Sequence, residues 1–212
     1  MKRYFSLLFK AIRFITINVK NKLDYITCRI LLDGNNADYQ RITTSGVPYV
    51  SVARNGKCVI GDHFAMNNNL RGNPIGRVHR CIFFVDNGAE LIIGNNVGVS
   101  SAALVSRKSI RIGNYVKIGG GVCIYDTDFH SLDAEIRKEK TLDAGNVHHA
   151  AVVIGDNVFI GAHSTILKGV TVGDNAIIGA CSVVTKSVPA NEIWAGNPAR
   201  FIKTVTIQSS IL

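Results

Sequence analysis

Residues 154–189 read IGDNVF IGAHST ILKGVT VGDNAI IGACSV VTKSVP, six blocks of six residues without a slip. The first place in each block is Ile154, Ile160, Ile166, Val172, Ile178 or Val184. Glycine fills the second place at 155, 161, 173 and 179. The fifth is small or β-branched throughout: Val158, Ser164, Val170, Ala176, Ser182 and Val188. A half-buried strand alternates every two residues and a helix every 3.6, so a period of six belongs to neither. It fits a β-solenoid in which each block makes one short strand and one turn. The first and fifth residues then face inward, and glycine with Asp-Asn supplies the turn and its positive φ. Three blocks make one coil of 18 residues, and coils stack about 4.8 Å apart.

Outward from this stretch the period weakens. It holds at Ile112, Ile118 and Ile124, slips by one residue near 110–111, and holds again at Ile93, Val99 and Val105. Blocks at 54–59, 60–65 and 66–71 are ragged. Residues 72–80 fit no block. Residues 131–150, SLDAEIRKEKTLDAGNVHHA, break the pattern with charge and glycine and read as a loop thrown out from a corner. About five coils therefore span 54–189. The expected division is an N-terminal helical segment and connection over 1–50, the solenoid over 51–189, and a closing segment and tail over 190–212.

Apolar residues make up 47% of the chain and charged residues 18%, a globular balance. Net charge is +9, and residues 1–41 carry a surplus of +5 from eight cations against three acids. Such a balance suits an anionic partner: a phosphorylated cofactor, a lipid surface or nucleic acid. The five cysteines form no CxxC pair. Cys58 and Cys123 occupy apolar fifth positions, which predicts small core residues in a reducing compartment. No apolar run reaches the ~18 residues of a membrane span. Lys10 and Arg13 interrupt the segment that a signal peptide would need. Gly119, Gly120 and Gly121 lie within the hexapeptide period, so they read as turn glycines, not a phosphate loop.

Residues 2–30 read as helix, with a break expected near 18–21. At 100° per residue, Phe5, Leu8, Ile12, Ile15 and Val19 form one apolar stripe, while Lys2, Arg3, Lys10, Arg13 and Lys20 share another sector. Two readings stand: a cap on the solenoid end, or a helix lying in a membrane interface.

The repeat, together with YDTDFHSLD at 125–133 and the long block running to AGNPAR at 195–200, resembles the hexapeptide-repeat acyltransferases. The branch it resembles contains the galactoside, maltose and polysaccharide O-acetyltransferases. The resemblance implies a left-handed parallel β-helix, an assembly of three identical subunits with active sites between them, and acetyl-CoA as donor. It implies a sugar hydroxyl as acceptor, with N-acetylation of an amino sugar as the alternative. No metal and no nucleic acid partner are expected, and the expected location is cytoplasmic, with peripheral contact at the inner membrane face through residues 2–30.

Site residues follow from the same source. His130 is the candidate general base, because a neutral imidazole takes up a hydroxyl proton near pH 7. On residues alone, a surface corner histidine fits equally well. Asp126 or Asp128 is the candidate to orient its ring. The resemblance assigns the donor's pantetheine arm to Gly161, Ala162, Gly179 and Ala180, with Phe159 packing beside it. Thr185 and Lys186 match the family's VTK turn, and Arg200 and Lys203 are candidates for the nucleotide phosphates. Relatives of this branch present an Asn to the acceptor where this chain has Ser100 or Ser101, and a serine can still hydrogen-bond a sugar hydroxyl. A rival class on this fold is the metal-dependent carbonic anhydrase or a non-catalytic scaffold. His148, His149 and His163 read as surface residues without metal-ligand spacing.

Overall fold

The computed structural model describes residues 2–70, 73, 75 and 79–206. Most of the 72–80 excursion and the end of the tail lie outside them. One unbroken helix, α1 (Lys2–Gly34), runs straight through 18–21, where a break was expected. The chain then winds as a left-handed parallel β-helix with three faces.

The first coil is β1 (Asp38–Tyr39), β2 (Ile42–Ser45) and β3 (Tyr49–Val52). The second is β4 (Lys57–Ile60), β5 (Phe64–Asn67) and β6 (Ile82–Val85). The third is β7 (Glu90–Ile93), β8 (Gly98–Ser100) and β9 (Ala103–Ser106). The fourth is β10 (Ser109–Ile112), β11 (Lys117–Ile118) and β12 (Cys123–Tyr125). Two short helices, α2 (Ala134–Arg137) and α3 (Lys140–Gly145), fill the extruded loop. The fifth coil is β13 (Val152–Ile154), β14 (Phe159–Ile160) and β15 (Thr165–Ile166), and the sixth is β16 (Thr171–Val172), β17 (Ile177–Ile178) and β18 (Val183–Val184). β19 (Glu192–Gly196) joins β17 in parallel, and β20 (Ala199–Thr204) folds back antiparallel on β19.

The solenoid thus begins at Asp38, inside the segment expected to be a connection. Ile42 and Val50 face inward there, but eight residues apart, so no hexad marks them. Similarly, Leu104 and not Val105 fills the interior of the third coil, in register with Phe83 above and Ile124 below. Val122 takes the inward place that the repeat suggested for Cys123, which is half-buried, while Cys58 lies in the core.

First-place side chains stack in rows. Ile60, Ile93, Ile112, Ile154 and Val172 follow one another down the first face, each at most 3% exposed. Each such burial contributes about 1.5–3 kcal/mol against exposure. The turns divide their work in a way the repeat did not reveal. The left-handed φ falls on asparagine, 58° at Asn157 and 60° at Asn175 and Asn191, not on the preceding glycine. Those asparagines form a ladder, Asn157 Nδ2 donating to Asn175 Oδ1 (3.1 Å) and Asn175 Nδ2 to Asn191 Oδ1 (2.9 Å). The second-place glycine is there for close stacking: a Cβ on Gly161 would sit 2.5 Å from the Ala180 nitrogen.

Candidate active site

The chain leaves the third face after Tyr125, and the next five residues set the geometry. Asp126 is fully buried. Its carboxylate accepts from Ser106 Oγ (3.0 Å) and from the backbone N–H of Arg107 (2.7 Å), Lys108 (2.8 Å) and Ser109 (2.7 Å). It ties down the preceding coil's corner. Thr127 bridges His149 in antiparallel fashion. The Asp128 N–H donates to the His148 carbonyl (3.1 Å) and the Ala150 N–H to the Asp126 carbonyl (2.9 Å). These contacts close the neck of the extruded loop. Phe129 has φ 66°, a left-handed conformation that costs a bulky residue about 1–2 kcal/mol. An edge-on contact with the Tyr125 ring at 5.1 Å and a hydrogen bond from the Phe129 N–H to Thr127 Oγ1 (3.1 Å) hold it there.

His130 follows, with its side chain 68% exposed. Its Nδ1 lies 2.7 Å from Asp143 Oδ2, and Asp143 Oδ1 accepts the Ser131 N–H at 2.6 Å. The hydrogen bond from His130, then that from Ser131, hold the Asp143 carboxyl below the usual carboxylate range. With Nδ1–H donated to a carboxylate, the neutral ring carries its lone pair on Nε2, directed away from Asp143. That is the tautomer a general base needs.

The partner expected for His130 was Asp126 or Asp128, and the structure corrects both. Asp126 is committed to the backbone of the neighbouring corner. Asp128 pairs with Lys168 Nζ at 3.3 Å. Asp143 comes from α3, thirteen residues along the chain, a distance at which no repeat points to it.

The candidate donor residues fall into three groups. On the second face, register runs Gly98, Lys117, Phe159, Ile177, Ile193, Lys203. Three strand spacings, about 14 Å, separate Phe159 from Lys203. An open groove of about 290 Å³ lies on this face, lined in part by Asn67, Ser100, Lys117 and Phe159. Phe159 is 48% exposed there. Gly161, Ala162, Gly179 and Ala180 stack at the corner between the second and third faces, where the Cys181 N–H donates to the Ala162 carbonyl (2.8 Å). Thr185 and Lys186 are exposed at the far end of β18, so one strand of the third face separates them from that corner. Arg200 is exposed on β20, opposite Ala195.

Of the two acceptor candidates, Ser101 is fully buried, with Asn73 Nδ2 at 3.5 Å, whereas Ser100 borders the groove. Asn67 stands one coil earlier in register with Ser100, and its Nδ2 donates to Ser100 Oγ at 3.1 Å. An amide is therefore present in the groove, displaced by a coil from the place that block alignment indicated. His130 extends from the end of the third face, while the groove occupies the second, so one chain carries them on different sides of the prism.

Among the described residues, no three His, Cys, Asp or Glu side chains stand close enough to hold a metal ion. None of the described helices is long and apolar enough to cross a membrane.

Comparison with known proteins adds the following. Residues 151–186 match the family model "Bacterial transferase hexapeptide (six repeats)". WbbJ of Escherichia coli, assigned to lipopolysaccharide biosynthesis as an O-acetyl transferase, is 32% identical over 155 residues, 72% of this chain and 74% of that one. A shorter match is gamma carbonic anhydrase 1 of Arabidopsis thaliana mitochondria, 32% identical over 104 residues, 44% of this chain and 38% of that one. The chain spans between about a third and two thirds of the length of other curated relatives. Among solved structures, the hexapeptide-repeat acetyltransferase VCA0836 of Vibrio cholerae complexed with acetyl coenzyme A superposes with a TM-score of 0.53 at 23% identity, covering 84% of this chain and 76% of that one.

Proposed function

The chain belongs to the hexapeptide-repeat transferase family, and from that premise we propose that it moves an acetyl group from acetyl-CoA to a hydroxyl of a sugar in a surface polysaccharide or glycolipid precursor. The observation that carries this reading is the Asp143–His130 pair, an exposed imidazole whose Nδ1 lies 2.7 Å from a carboxylate. His130 Nε2 takes the acceptor's hydroxyl proton as that oxygen attacks the thioester carbonyl. The tetrahedral intermediate collapses with cleavage of the C–S bond, and the departing sulfur takes the proton back from the imidazolium. Asp143 keeps the ring oriented and stabilises its charged form meanwhile.

Three identical subunits complete the site in this reading. The His130 loop of one subunit would face the second-face groove of its neighbour, which accounts for base and groove lying on different sides of one prism. Phe159 and the corner at Gly161, Ala162, Gly179 and Ala180 would hold the pantetheine arm. Thr185, Lys186, Arg200 and Lys203 would meet the nucleotide phosphates. Ser100 and Asn67 would meet the acceptor. A cytoplasmic location fits the free thiols of all five cysteines, and contact with the inner membrane face extends the reading.

Mass spectrometry of candidate sugars incubated with acetyl-CoA tests it. The expected product is an acceptor heavier by one acetyl group that mild alkali removes, as for an ester. An alkali-stable product would mean an amide and an amino-sugar acceptor. Hydration of carbon dioxide by the purified protein, dependent on added zinc and without acetyl transfer, would replace the reading with that of a carbonic anhydrase.

A further inference from the structure

α1 carries two opposed faces. Its buried or half-buried side is Ile17, Asn21, Asp24, Cys28 and Leu32, and this line packs on the first coil. Asp24 Oδ2 accepts the Gly46 N–H at 3.1 Å, and Cys28 and Leu32 are fully buried. At 100° per residue this line centres about 180° from the apolar stripe. The solenoid therefore uses the side of the helix that the stripe does not occupy, and the cap is made by its C-terminal half. The stripe does not end at Val19. It starts at Phe5, Leu8 and Ile12 and continues to Leu23, Ile26 and Ile30, with every one of these six between 53% and 71% exposed. From Phe5 to Ile30 it runs about 38 Å.

The charges say what covers it. Lys2, Arg3, Lys10, Arg13, Lys20 and Lys22 all precede the first acid of the helix, Asp24. A seam between copies of α1 would bring several such stretches together with no carboxylate before Asp24 to pair them, the reverse of the complementary flanking charges that stabilise coiled coils. A phospholipid surface supplies both missing partners: acyl chains for the stripe, and anionic headgroups within a Debye length of the cations. α1 is not apolar enough to cross a membrane, which leaves lying in its plane.

We propose that α1 binds an anionic membrane surface through the Phe5-to-Ile30 stripe, mooring the β-helix to the membrane by its N-terminal end. The proposal does not depend on acetyl transfer, and its test reads binding alone.

The experiment is co-sedimentation of the full chain with vesicles of phosphatidylcholine containing 30% phosphatidylglycerol. The wild-type protein is expected to pellet with these vesicles at low salt and to be released at least tenfold at 0.5 M NaCl. Pure phosphatidylcholine should retain little. The double variant Ile12→Asp/Ile15→Asp, at positions exposed on the free part of the helix, should lose at least tenfold in binding with unchanged melting temperature and oligomeric state. Equal sedimentation of variant and wild type would overturn the proposal. So would a variant that changes oligomeric state, since the stripe would then be a contact between copies. A wild-type protein that stays in the supernatant with both vesicle types would overturn it as well.

Discussion

His130 Nδ1 and Asp143 Oδ2 stand 2.7 Å apart across the extruded loop, joining the end of the fourth coil to α3. Asp143 also fixes the loop's first backbone N–H, at Ser131, so one carboxylate both shapes the loop and sets the ring. Asp143→Asn should lower kcat by about 10–10³-fold with KM for acetyl-CoA within about threefold, because an amide offers one acceptor oxygen to the two N–H groups that Asp143 holds, at His130 and Ser131, and no charge opposite the imidazolium. Asp143→Glu should recover part of the loss. Steady-state kinetics of the three proteins check this, and an Asp143→Asn enzyme with wild-type kcat would remove the orienting role.

Asp126 should behave in the opposite way. It is buried and accepts four hydrogen bonds, three of them from backbone of the 106–109 corner. Asp126→Ala strands those donors and should cost about 3 kcal/mol or more in stability. Denaturant melts would show it as a lowered midpoint at unchanged slope. A melt indistinguishable from wild type would contradict the structural role.

The contrast between these two aspartates shows what the sequence made legible. Within 154–189, period six exposes the first-place rows, because the coil length repeats and each Ile or Val there meets its predecessor 18 residues earlier. It exposes His130 as the last residue before segment 131–150 interrupts the repeat. It cannot expose Asp143, whose partner lies across a segment with no period and among other loop acids at Asp133, Glu135 and Glu139. Asp126 and Asp128 were nearer in sequence but are committed to other groups. The first coil escaped for a related reason: α1 and the Asp38–Val52 strands bury Ile42 and Val50 at irregular spacing. Asn67 was missed because the ragged blocks before residue 81 left its register with Ser100 unreadable.

Alkaline pH should destabilise the fold through three thiols. Burial pushes Cys28 and Cys81 up to about 11 and Cys58 up to about 12, from an ordinary 9.0. Above pH 9 the unfolded thiols lose protons that the folded ones keep, so stability falls as pH rises, by at most about 1.4 kcal/mol per pH unit for each thiol. Below pH 9 the contribution is flat. Melts from pH 8 to 10.5 check the sign, with a Cys58→Ser variant expected to show a shallower decline. Alkylation at pH 8 should mark exposed Cys181 first and spare Cys28, Cys58 and Cys81.

Lys186→Ala and Arg200→Ala should each raise KM for acetyl-CoA by about 5–30-fold, the equivalent of about 1–2 kcal/mol for a partly exposed charge-assisted contact. KM for the acceptor should change little. Donor analogues without the 3′-phosphate separate the contacts. If acetyl-dephospho-CoA and acetyl-CoA serve wild type and both variants equally, neither residue meets the terminal phosphate.

The most direct test of the account is acceptor-dependent release of free CoA thiol by wild type and His130→Ala. The account predicts sugar-dependent turnover by the wild type and a kcat lower by about 10²–10⁴-fold in the variant. Melting temperatures should match, since the ring is exposed and holds nothing of the core. A variant within threefold of wild type would contradict the assignment of His130 as the base.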